Sequence, residues 1–115
     1  MLVMRSGAVV LANRPSKPAI SATVANLQRG GSLILERVEE EPGDWYVQVW
    51  MRDDNTFQLE HRDGVPAEHY QTRTVSRDKV VAAILSWARS DPSWRDQFRW
   101  NNIGSWFEDK TDSDG

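Results

Sequence analysis

Trp45-Tyr46-Val47-Gln48-Val49-Trp50-Met51-Arg52 decides the architecture of this chain. Trp45, Val47, Val49 and Met51 occupy one parity, and Tyr46, Gln48, Trp50 and Arg52 the other. A repeat of two residues with one aliphatic side predicts a strand that buries one face. Before it, Leu33-Ile34-Leu35-Glu36-Arg37-Val38 is rich in β-formers and is closed by Glu39-Glu40-Glu41-Pro42-Gly43-Asp44, where Pro-Gly supplies a tight turn. After it, Asp53-Asp54-Asn55 reads as a hairpin loop. In the next strand Phe57 and Leu59 share one side, while Gln58, Glu60 and Arg62 share the other. Asp63-Gly64-Val65-Pro66 breaks the pattern again. A fourth strand over His69–Val75 sets Tyr70, Thr72 and Thr74 against Gln71 and Arg73. Four alternating strands with short loops predict an antiparallel meander that is wet on one face.

Helical signals flank this sheet. Ile20, Val24 and Leu27 fall on one helical stripe, and Gly30-Gly31 suits its C-terminal cap. Ser76 is the expected N-cap of the strongest helix, whose stripe is Val80, Val81, Ile84, Leu85, Trp87 and Ala88. Ser90-Asp91-Pro92 stops that helix and can start another piece bearing Trp94 and Phe98. Trp100, Ile103, Trp106 and Phe107 continue an aromatic tail. The expected fold is α+β: an antiparallel four-stranded meander sheet with an N-terminal helix and C-terminal helices packed on one face. Residues 1–17, punctuated by Pro15 and next to Pro18, are expected to form a flexible leader. Residues 18–107 make a single α+β domain, and 108–115 a disordered tail.

Composition narrows the function classes. A chain of 115 residues is one domain of ordinary size, and the absence of cysteine excludes disulfides, thiolate metal sites and thiol catalysis. No apolar run approaches the roughly 20 residues of a membrane span. Residues 1–31 hold Arg5, Arg14, Lys17 and Arg29 and no acid, so all 17 acidic residues lie beyond them. The body is therefore acidic and repels duplex nucleic acid. Trp50, Arg52, Arg62 and Arg73 form a basic and aromatic cluster, the kind that holds single strands. Glu60 among them makes cross-strand ion pairing the plainer account. The short apolar stretch Gly7–Ala12 lacks the length and cleavage site of a signal peptide, so a cytoplasmic location is expected.

Chemical motifs are sparse. His61 has the core parity of Phe57 and Leu59, and His69 follows the Pro66 loop. Asp63 and Glu68 stand nearby, but a metal site needs several ligands converging on one point, which spacing alone does not establish. Both histidines are expected in strand-end or loop roles. Ser76 and Ser86 lack a nucleophile elbow, Gly30-Gly31 lacks a phosphate-loop continuation, and Glu39-Glu40-Glu41 is splayed. The reading is a non-enzyme with no catalytic residue, metal or cofactor.

The informative feature is aromatic excess on the wet side of the second strand. Trp and Tyr are favoured interface anchors. The expected partner site is Tyr46, Gln48, Trp50, Arg52 and Gln58, with Glu39, Glu40, Glu41 and Asp44 supplying electrostatic complementarity. Gln48, Gln58 and Gln71 can add a hydrogen-bonding ladder. The competing expectation is that the N-terminal segment or the Trp94–Phe107 tail folds over these rings as a second small core.

The segments Phe57-Gln58-Leu59-Glu60-His61-Arg62-Asp63-Gly64, Tyr70-Gln71-Thr72-Arg73-Thr74-Val75-Ser76 and Val80–Arg89, closing on Phe98-Arg99-Trp100, resemble a family of small uncharacterised actinobacterial α+β proteins. This likeness spans roughly residues 32–103 and implies no activity. The order of features is also similar to a family of bacterial polymorphic-toxin immunity proteins. These share a strand like Leu59-Glu60-His61, a loop, a Val-Ser helix start, an apolar helix and a closing Trp. That resemblance implies a cytoplasmic antitoxin that binds and occludes a partner. The leading expectation is therefore a non-enzymatic cytoplasmic protein-binding module, an immunity-type inhibitor whose partner is another protein such as a toxin. The alternatives are a self-associating structural module, or a small enzyme using His61 and His69.

Overall fold

The alternation centred on Val47 and Val49 holds in the computed structural model, which describes residues 1–39 and 42–107. Its strand, β4 (Asp44–Met51), lies mid-sheet between β3 (Ser32–Arg37) and β5 (Phe57–Gly64), and β6 (His69–Thr74) follows β5. These are the four expected strands, antiparallel and in sequence order. The sheet nevertheless has seven strands rather than four, in the order β2-β1-β3-β4-β5-β6-β7. A two-residue β7 (Asn101–Asn102) pairs with β6 at one edge. Residues expected in a flexible leader form β1 (Leu2–Ser6) and β2 (Val9–Asn13) instead. Gly7, with φ of 58°, makes the tight turn between them. β1 is held on both sides, pairing Met4 with Ala12 and with Leu35, which buries Val3 and Met4. A register shift between Met4 and Arg5 marks a bulge, so β2 loses the alternation by which a strand is read from sequence.

Both helices lie on the face built by Met4, Leu33, Leu35, Val47, Val49, Phe57 and Leu59. Helix α1 (Lys17–Ala25) is capped by the Ser16 hydroxyl accepting from the Ala19 amide, with Pro18 in the first turn, and it buries Ile20 and Val24. Its helical segment ends at Ala25 with Asn26 as C-cap, before the expected glycine pair. Helix α2 (Arg77–Ala88) starts at the expected Ser76 cap and buries Val80, Ala83, Ile84 and Trp87. Burying each aliphatic side chain of this layer contributes about 1.5–3 kcal/mol. The helices pack against each other, and Arg77 joins them: its Nη1 donates to the Val24 and Ala25 carbonyls at 2.6 Å, and Nη2 to Leu27 at 3.3 Å. A cation thus adds to the hydrogen bonding of the last carbonyls of α1, of which that of Val24 also accepts from the Leu27 amide at 3.2 Å.

Asp91 caps a 3-10 turn over Pro92–Gln97, and a second 3-10 turn spans Gly104–Phe107. A side chain at Gly104 would collide with the Ala67 carbonyl, so only glycine lets this last turn lie against the β5–β6 loop. Among the described residues, no helix is long and apolar enough to cross a membrane. The expected tail at 108–115 lies outside the described residues.

Candidate functional site

The face opposite the helices carries the expected partner residues. Register places Gln48, Glu60 and Gln71 in one row across β4, β5 and β6. Trp50, Gln58 and Arg73 form the next row, and Tyr46, Arg62 and His69 the row on the other side. Trp50 keeps 38% of its surface exposed, with the Arg52 guanidinium 4.7 Å from its ring centroid. From this corner a chain of hydrogen bonds crosses the sheet. Arg52 Nη1 donates to Gln58 Oε1, and Gln58 Nε2 donates to Glu60 Oε2 at 2.6 Å. Glu60 Oε1 lies 2.7 Å from His69 Nε2, and Arg62 Nε donates to His69 Nδ1 at 3.0 Å. A guanidinium only donates, so Nδ1 accepts and the ring proton sits on Nε2, facing the carboxylate. The Tyr46 hydroxyl stands 3.4 Å from the same Nδ1.

Glu60 is the hub of this row. Burial pushes its carboxyl up, but hydrogen bonds from His69, Gln58 and Gln71 outweigh that and hold it below its ordinary 4.5. Gln58 and Gln71 therefore converge on a carboxylate instead of forming a ladder of their own. Burial raises the Tyr46 phenol above 10.0, partly opposed by Arg62. Arg62 is flanked by two rings, 5.5 Å from the Tyr46 centroid and 4.7 Å from that of Phe107.

The structure brings Tyr46, Gln48, Trp50, Arg52 and Gln58 together on one face. Trp50 is open, Tyr46, Gln48 and Arg52 are half-buried, and Gln58 is only 8% exposed. Asp44 is exposed at the far end of the same face, 3.7 Å from Arg62. Glu39 is exposed at φ of 66° just beyond β3, and the row does not include it. Glu40 and Glu41 lie outside the described residues. The aromatic tail divides between the two faces. Phe107 reaches the open face, 4.4 Å from the His69 ring, whereas Trp94 and Trp100 sit on the helix side. Neither the N-terminal strands nor the tail seals Trp50.

Glu60, Arg62, His69 and Phe107 lie on the same face as the candidate residues although the sequence reading did not select them. For the first two the signal was parity with Gln58. For His69 it was parity with Gln71 and Arg73, masked by the loop before it. Phe107 had no local signal. His69 is 1% exposed, a buried strand residue rather than a loop one.

His61 is equally buried, on the helix side. Its Nδ1 lies 2.9 Å from Asp63 Oδ1, and its ring stacks on Tyr70 at 4.9 Å and meets Trp94 and Trp100 edge-on at 4.6 Å. Burial raises the Asp63 carboxyl, but His61 and Arg95 overcome that and leave it below 3.8. The two histidines are thus held on opposite faces, each against its own carboxylate. Among the described residues no three His, Cys, Asp or Glu side chains are grouped to hold a metal ion. Comparison with protein-family models, with curated proteins and with solved structures finds no match to this chain.

Proposed function

We propose that this chain is a non-enzymatic cytoplasmic protein-binding module of immunity type, which occludes a partner protein docked on the open sheet face. One observation carries the reading. A seven-stranded sheet is layered with helices on one side, and its other side presents a half-open Trp50 at the corner of a prearranged polar row. Side chains already locked by hydrogen bonds lose little freedom on docking, so more of the contact energy appears as affinity. Trp50 with Arg52 stacked on it has the character of an interface anchor, and Gln48 and Arg73 offer adaptable polar contacts around it. Asp44 at the far end adds a carboxylate for a basic group of the partner.

The non-enzymatic reading is supported by the state of both histidines. Each ring nitrogen of His69 is engaged by Glu60, Arg62 or Tyr46, and His61 is packed among aromatic rings. Among the described residues, neither has a serine or threonine hydroxyl as a hydrogen-bond partner, as a nucleophile–base pair requires.

The test replaces Trp50 with a photo-crosslinking amino acid in the native cell, with Val75, which is exposed elsewhere, as the control position. A partner captured from position 50 and not from position 75, whose purified form then binds the Trp50→Ala protein at least tenfold more weakly, supports the proposal. Equal capture at both positions, or undiminished binding by Trp50→Ala, overturns it.

A further inference from the structure

We infer that the chain pairs with a second copy of itself along β2, extending the sheet across a two-fold axis. The two sheet edges are built differently. At one edge β7 is two residues long and continues directly into the Gly104–Phe107 turn, which limits the backbone it can offer. At the other edge β2 presents five residues, with Val9, Val10 and Leu11 exposed to 62%, 47% and 46%. Proteins usually blunt such an edge with charge or proline. Residues 6–13 contain neither.

The bulge between β1 and β2 directs the outer side chains in a way that fits a second copy. Ala12 packs against the core on the helix side. Its neighbour Leu11 lines a hollow on that side with Ser6, Ala22, Thr23 and Leu27, a space of about 450 Å³ beside α1. The apolar layer between sheet and helix therefore runs out to the edge and is left unclosed there. An antiparallel copy of β2, paired about a dyad beside Leu11, brings the two Leu11 side chains together at the mouths of the two hollows. Val10 then lies across from Ala12 and Val9 from Asn13, so the ladder places no charge against a like charge. Arg14 falls across from Ala8 of the copy, and Arg5 is already paired with Glu36. Apart from Arg14 at its end, this edge offers a foreign strand no charged or aromatic group to select it, whereas self-pairing needs none. A five-residue ladder alone falls short of the roughly 1,200 Å² that stable interfaces bury. Closing the two hollows brings α1 of each copy into the contact.

Sedimentation over a dilution series tests the pairing. The wild type is expected to titrate between 13.2 kDa and twice that mass. Leu11→Lys, which sets two ammonium groups side by side, should weaken the dimer at least tenfold, and Val75→Lys should leave it unchanged. Because the chain has no cysteine, a Leu11→Cys protein gives a second measure independent of any folding defect in the lysine variant. Under mild oxidation it should form a disulfide dimer faster than a Val75→Cys control, since paired strands bring Cα atoms within the ~4.4–6.8 Å that a disulfide spans. A wild type that stays monomeric throughout overturns the inference. So does a dimer indifferent to Leu11→Lys, or Leu11→Cys crosslinking no faster than the control.

Discussion

His61 and His69 sit on opposite faces of the same sheet, both 1% exposed and both against a carboxylate, yet their surroundings divide the molecule. Around His61 the neighbours are rings: Tyr70, Trp94 and Trp100, with Asp63 and Arg95 closing the rim. Around His69 they are mainly hydrogen-bonding groups that lead outward through Glu60 and Gln58 to Arg52 and Trp50. The first arrangement draws the C-terminal segment down onto the sheet. The second fixes polar side chains on a face that neither α1 nor α2 covers. One strand, β5, serves both because its residues alternate, and the difference separates what holds the fold from the face on which the proposed docking would take place.

The sharpest way to break this comparison is to cut each side in turn. Leu59→Ala, at a fully buried position of the helix face, should cost about 2–5 kcal/mol in chemical denaturation. Glu60→Ala, which strands the donors of His69, Gln58 and Gln71, should cost about 1–3 kcal/mol. It should also weaken partner binding, which Leu59→Ala should not do in the population that remains folded.

Acid titration sharpens the contrast further. Glu60 and Asp63 both bind their protons more weakly folded than unfolded. Their contributions are complete above the ordinary values of 4.5 and 3.8 and drain away as pH falls through the lower folded ones. Glu60→Gln should therefore flatten the loss of stability below pH 4.5, measured by denaturant midpoints across an acid series. The smallest effect on stability belongs to Trp50→Ala. With Trp50 half-open and held chiefly by Arg52, its loss should cost no more than about 1 kcal/mol. A larger loss of stability would move Trp50 from the docking side of the comparison to the structural one.

What the sequence made legible follows the strength of local pattern. β3 to β6 and α2 could be read because alternation, a serine cap and an apolar stripe are short-range signals. β1 and β2 could not, because each has five residues and the bulge at Met4 and Arg5 puts Leu11 and Ala12 on the same side. Their order depends on pairing with β3, a contact some thirty residues away. The open face was legible as far as parity reaches, which covers Tyr46, Gln48, Trp50 and Gln58. Its hub was not, because a carboxylate becomes one only when strands on both sides bring donors to it.

Arg77 carries a last consequence. A nine-residue helix is too short to persist alone in water, and the carbonyls at the end of α1 are tied off by a guanidinium from the start of α2. During synthesis, then, the Lys17–Ala25 segment emerges long before the residue that fastens it. Its lasting helicity therefore depends on packing against α2 and on the Arg77 contacts.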